Sequence, residues 1–213
     1  MVIFLSPVIR GINLFREAEH TNEDFYEGPF ARMDFTRSEF VNCNFYSCDF
    51  DRADFLGAIF TGCDFRQCKL SSYITGVRFK NCSFHECSFD EAYIFSSEFK
   101  NCELVNGSMA DAMLATADFP GTSFNNVKWK DHYINKLPVL IQGIGNFVVA
   151  LDNGHMQIGC RYGTYDWFWE CPDREVAAME GLKSRRFWKR NKQWIFDMLK
   201  AQGLYDYASR TRT

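Results

Sequence analysis

The sequence predicts a solenoid, a narrow tube filled along its axis by large apolar side chains, and two columns of residues carry that prediction. In the first column a large apolar residue returns at every fifth position from Phe25 to Trp129, through Phe30, Phe35, Phe40, Phe45, Phe50, Phe55, Phe60, Phe65, Leu70, Ile74, Phe79, Phe84, Phe89, Ile94, Phe99, Leu104, Met109, Leu114, Phe119 and Phe124. Fifteen of the chain's 22 Phe stand in it, so the apolar volume is gathered where a regular axis needs it. The second column lies two residues earlier and holds small side chains, among them Ser38, Cys43, Cys48, Ala53, Ala58, Cys63, Cys68, Cys82, Cys87, Ala92, Ser97, Cys102, Ala112 and Ala117. A period of five fits neither the helical repeat of 3.6 nor the strand repeat of 2. The chain must therefore turn a corner within every repeat.

The unit itself is a small residue, often an Asp, Asn or Glu, and then Phe or Leu: Cys43-Asn44-Phe45, Ala53-Asp54-Phe55, Cys63-Asp64-Phe65, Ala117-Asp118-Phe119. This pattern closely resembles the pentapeptide-repeat family over about half of the chain. The resemblance implies an all-β solenoid, a right-handed quadrilateral β-helix with four pentapeptides per turn. Residues 21–130 would make about five and a half coils, roughly 26 Å long at about 4.8 Å per stacked strand.

Four repeats per coil bring residues twenty apart into one stack, and the cysteines test this. Cys43 and Cys63 are twenty apart, as are Cys48 and Cys68, and Cys82 and Cys102. Between Leu70 and Ile74 one residue is missing, and Cys63 to Cys82 is correspondingly nineteen. Allowing for that deletion, Cys43, Cys63, Cys82 and Cys102 form one ladder and Cys48, Cys68 and Cys87 its neighbour. A tightened corner at 71–73 with unbroken stacking is expected.

Composition sets the outer bounds. The chain has 213 residues and a formal net charge of −3, and no apolar run reaches the length of a membrane span. Its first ten residues lack the basic start and small-residue cleavage site of a leader, so a cytoplasmic, soluble protein is expected. Seven of nine cysteines occupy the small column, where a thiol is a compact apolar filler. With no CxxC pair, and with Cys160 and Cys171 left over, a reducing compartment fits better than a disulfide framework.

Residues 1–20 stand outside the repeat; Val2 to Leu5 and Val8 to Ile12 read as short strands capping the first coil, whose apolar end would otherwise be open. Residues 131–213 read as a small α+β appendage. Phe147 to Leu151 and Met156 to Cys160 form a hairpin through Asp152-Asn153-Gly154-His155, because Asn-Gly accepts the positive φ of a tight turn. An aromatic cluster follows at Tyr162, Tyr165, Trp167, Phe168 and Trp169. Pro172 and Asp173 begin a short helix ending at Gly181, and Ser184 caps a second helix running to about Gln202 before Gly203. Phe187, Trp188, Trp194, Ile195, Met198 and Leu199 make its apolar stripe. This tail is similar to C-terminal segments attached to pentapeptide repeats in some phage and prophage proteins, on the run Met156 to Cys160 and on Phe187-Trp188.

No catalytic constellation emerges. His20, His85, His132 and His155 are scattered, no HExxH, GxSxG, GxGxxG or GxxxxGK[ST] occurs, and nothing joins a nucleophile, a base and an oxyanion site. The expectation is a protein that is not an enzyme and has no cofactor and no metal. Three surface groups are candidates for binding instead. On one face Tyr73, Tyr93 and Met113 form a row before the central residue, with Leu56 and Phe95 after it; such a contiguous apolar patch suggests a contact surface, a homodimer face, or one covered by the C-terminal segment. Asp49, Asp51, Asp54, Asp64, Asp90 and Glu91 supply an acidic surface. Lys183, Arg185, Arg186, Lys189, Arg190 and Lys192 open the last helix, a group that can contact phosphates but more often faces solvent.

Residues 21–130 carry sixteen acidic and ten basic groups, and residues 131–213 nine and twelve. Resemblance to the family implies one function directly: some members occupy the DNA site of type II topoisomerases such as gyrase by presenting carboxylates as DNA presents phosphates. Against it, Arg32, Arg37, Arg52, Arg66, Lys69, Arg78, Lys80 and Lys100 interrupt the acidity. One alternative is a scaffold that binds a host or phage protein through the apolar face and the C-terminal helix, and another is nucleic-acid contact by the basic C-terminal helix. The first two readings imply a protein partner, a DNA-handling one in the first, with no membrane, and direct nucleic-acid contact is disfavoured beside them.

Overall fold

The computed structural model describes residues 2–3, 15–130, 132–136, 138–141, 148–158, 161–172, 175 and 182–205. The chain divides into two compact units, Met1–Asn135 and Lys136–Thr213. The first is a right-handed β-helix of about five turns, as the resemblance to the repeat family implies.

Each repeat contributes one side of a square coil. One face is a parallel sheet of seven strands, from Val2–Ile3 through Asp24–Tyr26, Asn44–Tyr46, Asp64–Arg66, Ser83–His85 and Glu103–Val105 to Ser123–Asn125. The face preceding it around the coil holds five parallel strands, from Glu19–Thr21 to Glu98–Lys100. A third face is held by single bridges that climb Pro29, Asp49, Lys69, Ser88, Ser108 and Lys128. The fourth begins with bridges among Asp34, Asp54 and Tyr73 and continues as the strands Tyr73–Thr75, Tyr93–Phe95 and Met113–Ala115.

The corners explain why the period is five. Two residues after the centre of nearly every repeat the backbone enters the left-handed region, at Glu27 (φ 49), Arg32 (φ 61), Arg37 (φ 58), Asn42 (φ 52) and their equivalents. A side chain there costs about 1 kcal/mol, but at most of these corners the amide finds a carbonyl of the next coil: Glu27 to Tyr46 at 2.8 Å, Asn42 to Thr61 at 2.8 Å. The four-residue step between Leu70 and Ile74 lacks the left-handed residue, which is the one deleted. Ser72 keeps the small-column position, buried, with its hydroxyl donating to the Phe50 carbonyl at 2.6 Å. Stacking continues with a spacing of nineteen (Asp54 on Tyr73, Ile59 on Arg78, Asp64 on Ser83) and returns to twenty above. The tightened corner therefore forms without a break.

Inside, rings stack on rings. Phe25 lies 4.8 Å from Phe45 at 8°, Phe45 lies 4.8 Å from Phe65 at 11°, and Phe40 lies 5.0 Å from Phe60 at 4°. Successive Phe around one coil meet edge to face, as Phe60 and Phe65 do at 65°. The axis is thus packed in both directions with geometries that aromatic quadrupoles favour.

The two thiol ladders stand as the spacing requires, all seven members buried and free. Each thiol donates to the central carbonyl of the coil beneath: Cys48 to Phe25, Cys68 to Phe45 and Cys87 to Phe65, at 3.5, 3.3 and 3.4 Å. At Cys48 the neighbouring Cys68 thiol and burial both push the pKa far above the ordinary range, so the thiol stays protonated. The second ladder stops at Gly107 because a Cβ there would lie 2.7 Å from the Cys87 carbonyl oxygen. Gly28, two residues before Phe30 and so at the small-column position, is required, since a Cβ there would meet the Phe30 ring at 2.2 Å.

The start of the solenoid differs from the sequence expectation. Phe15 and His20 already occupy column positions: Phe15 is buried and stacks on Phe35 at 4.8 Å, and His20 stacks on Phe40 at 4.8 Å and 10°. A search for large apolar residues stops at Phe25 because His20 is polar; Glu23 accepts at its Nδ1 side, 2.9 Å away. Val2–Ile3 pairs in parallel with Asp24–Tyr26, covering that backbone edge as a cap would; the strands expected over residues 4–14 lie outside the described residues. At the other end Val127–Trp129 and His132–Ile134 fold into an antiparallel pair, which carries the first unit to Asn135.

The second unit holds the expected hairpin, Val148–Ala150 with His155–Ile158 around Gly154 (φ 85), inside a larger antiparallel sheet completed by Val139–Ile141 and Arg161–Thr164. The aromatic cluster is helical: Tyr165–Glu170, with the Thr164 hydroxyl accepting the Trp167 amide at 3.1 Å as an N-cap. The long helix is Leu182–Ala201, so Ser184 lies in its first turn and not at its cap. Gly203 (φ 67) ends it, with the amides of Gly203 and Leu204 donating to Lys200 and Leu199, both at 2.9 Å. Trp188, Ile195, Phe196 and Leu199 are buried among Met156, Ile158 and Phe168. Trp194 is 45% exposed, which removes it from the buried stripe, and Phe196 takes its place. The helix expected between Pro172 and Gly181 falls mostly outside the described residues.

Two outcomes follow. Phe60→Ala should cost about 3–5 kcal/mol in denaturant unfolding, because five ring neighbours lose their partner and a rigid coil cannot collapse into the space. Alkylation mapped by mass spectrometry should leave the seven column thiols unmodified in the native protein and modify all of them in guanidinium.

Candidate interaction surfaces

Two of the three surface groups can be placed by coil arithmetic, and the third lies on the long helix. Tyr73, Tyr93 and Met113 are direct cross-strand neighbours, Tyr93 pairing with Tyr73 on one side and Met113 on the other. The two tyrosine rings stack at 5.4 Å and 21°, and Phe95 lies 6.1 Å from Tyr93. Tyr73 (54% exposed), Leu56 (48%), Met113 (45%) and Tyr93 (42%) stand in water, and Phe95 is half-buried. The structure thus brings the five residues to one face, with flat rings fixed on a rigid sheet.

The six carboxylates are not gathered in the same way. Asp49, Asp51, Asp90 and Glu91 belong to the bridged face and its corner, Asp54 to the tyrosine face and Asp64 to the seven-stranded sheet. Lys69 is the backbone pairing partner of Asp49, Arg52 reaches Asp51 at 3.8 Å, and Arg66 Nε donates to Asp64 at 2.8 Å. Several are also used by the backbone. The amide of Asp51 donates to Asp49 at 2.9 Å, that of Leu56 to Asp54 at 3.0 Å, and Ala110 N–H to Asp90 at 2.7 Å with the Ser108 hydroxyl beside it. Asp34 shows the consequence for charge: burial pushes its pKa up, yet the Thr36 hydrogen bonds and the Arg16 guanidinium outweigh burial and leave it below the usual value. An Asp before the central residue closes the following turn. Of the six carboxylates, Asp49 and Asp54 close turns in this way, and Asp90 holds an amide of the next coil.

The basic group divides as well. Arg186, Lys189 and Arg190 are exposed on the long helix. Lys192 is drawn inward, its ammonium 5.2 Å from the Trp169 ring and 5.6 Å from the Trp188 ring. Lys183 and Arg185 lie on the same helix, with side chains outside the described residues.

One column escapes a reading that weighs only charge or apolarity. Tyr26 stacks on Tyr46 at 4.9 Å and 11°, and the Arg66 guanidinium sits 5.9 Å over the Tyr46 ring. The three follow the centres of repeats twenty apart, so the same arithmetic finds them. Among the described residues no group of acidic, histidine and cysteine side chains forms a metal cluster, and no helix is long and apolar enough to cross a membrane.

Comparison with known proteins bears on the repeats. Residues 30–71 match the family model of pentapeptide repeats (8 copies), and residues 72–138 match that of the pentapeptide repeat region. No curated protein matches the sequence. Among solved structures the chain is similar to trypsin-treated QnrB1, a plasmid-mediated fluoroquinolone resistance protein, at 20% identity and a TM-score of 0.45 over 53% of this chain and 70% of that one. It is also similar to Rfr23 from the cyanobacterium Cyanothece 51142, at 14% identity and 0.37 over 54% and 89%. A third is AT2G44920, from the Arabidopsis thaliana thylakoid lumen, at 21% identity and 0.26 over 55% and 72%.

The division between capping and free carboxylates is measurable. Asp90→Ala should lower stability by about 1–2 kcal/mol through the hydroxyl and amide it leaves unpaired. Glu91→Lys, at an exposed corner, should change it by less than about 0.5 kcal/mol, both read from urea midpoints.

Proposed function

The chain belongs to the pentapeptide-repeat family through residues 30–138, and from that premise we propose that it is a non-catalytic module that docks a protein on the face of Leu56, Tyr73, Tyr93, Phe95 and Met113. The observation that supports this reading is the cross-strand register of Tyr73, Tyr93 and Met113, three exposed side chains of the kind that anchor interfaces, in one line. The sheet beneath fixes their positions before any partner arrives, so little ordering entropy opposes docking. The partner in this reading is a host or phage protein met in the cytoplasm.

Charge mimicry of duplex DNA toward a type II topoisomerase such as gyrase is the second reading, favoured by the family and by the excess of six acidic groups in residues 21–130. Its carboxylates face three sides and three accept backbone amides, so reversal has to avoid Asp49, Asp54 and Asp90 if folding is to survive. Glu91 and Asp51 are the informative positions.

Salt separates the two, since apolar docking persists where screened charge fails. With the full chain as bait in an extract of its host, Tyr93→Glu should lose the partner that the parent retains in about 1 M salt, where the Debye length is about 3 Å. A partner released by salt, kept by Tyr93→Glu and lost by Glu91→Lys with Asp51→Lys would instead establish mimicry, and an inhibited supercoiling reaction would identify gyrase.

A further inference from the structure

The exposed side of Leu182–Ala201 carries a feature that the sequence pattern hides. Trp194 falls in the apolar stripe by type, yet it stands 45% exposed, and Arg190 and Arg186 precede it by one and two turns on the same side of the helix. Helical rise places Arg186, Arg190 and Trp194 about 6 Å apart in succession along the axis. Lys189 adds a third exposed cation. Among the described residues none of the three cations forms an ion pair, whereas Lys192 is held between Trp169 and Trp188.

We infer that this side of the helix binds single-stranded nucleic acid, Arg186, Lys189 and Arg190 taking phosphates and Trp194 stacking on an unpaired base. The charge is of one sign through two turns, which selects a polyanion. The adjoining indole, 45% exposed, is a stacking partner for a planar apolar group, which a duplex keeps inside its stack and a single strand exposes. An anionic bilayer fits less well: an interfacial helix inserts its apolar face, and here Trp188, Ile195, Phe196 and Leu199 on that face are already buried. The site lies within the second unit and is independent of the tyrosine face of the solenoid.

The test is fluorescence anisotropy of the full chain with labelled oligothymidylate, the matching duplex as competitor, and phosphatidylserine vesicles in a parallel sedimentation. Binding at about 50 mM salt is expected, with a log–log salt slope of about −2 for three phosphate contacts. Trp194→Ala should weaken it about ten-fold, Trp194→Phe should retain most of it, and R186E with R190E should abolish it. All three positions are exposed, so the variants should melt as the parent does, and a Trp194→Ala protein that failed to fold would leave Trp194→Phe and the arginine pair to decide. No binding of oligothymidylate at low salt, duplex bound as tightly as the single strand, indifference to Trp194→Ala in a folded protein, or capture by vesicles alone would each overturn the assignment.

Discussion

Aromatic stacking and strand pairing share one distance in this molecule, and the rest of the fold depends on that coincidence. Parallel strands repeat at about 4.8 Å, and the rings of Phe25, Phe45 and Phe65 repeat at 4.8 Å along the same axis. Each coil laid on the last satisfies its backbone hydrogen bonds and its core in a single step. Phe suits the position because a flat ring leaves room for a second stack next to it, met edge to face. The small column gives that stack its room: a thiol or methyl beside the ring fills the corner, and Gly28 and Gly107 appear where even a methyl would collide.

The same constraint accounts for the tolerance of the step at Leu70. What must be kept from coil to coil is the inward pair, and Ser72 and Ile74 keep it; the left-handed corner residue points away from the axis and can be dropped. Register along the chain shifts by one while register along the axis does not. The second unit is held together differently, by a helix packed among the buried side chains of an antiparallel sheet, where no fixed repeat links residue number to position.

That contrast decides what the sequence reveals. In the solenoid a position modulo twenty assigns the face, so the thiol ladders and the Tyr73, Tyr93 and Met113 row are legible from spacing alone. His20 and Phe15 are missed because the search is for apolar side chains and an imidazole stacked on Phe40 serves as well. The carboxylates mislead because Asp before the centre answers two demands, surface charge and turn closure, and only geometry separates Asp54, which holds the Leu56 amide, from Asp64, which pairs with Arg66. In the second unit the run Tyr165–Glu170 reads as an aromatic cluster because six residues are too few for a helical period to declare itself, although Thr164 stands ready to cap it. Trp194 misleads for a related reason: indole is apolar by type, and its place on the wheel, beside Arg190 and opposite Leu199, outweighs its type.

The outward corners have a consequence of their own. Arg, Asn, Glu, Ser, Gln, Asp, Thr and Gly all occupy the left-handed position, because it asks of a residue only a free amide and a tolerable φ. Mutation can therefore rewrite the edges of the square without consulting its interior, and one inherited skeleton can carry unrelated inscriptions. Descendants of such a gene would keep the phenylalanines and drift at the corners, recognising new targets without relearning how to fold.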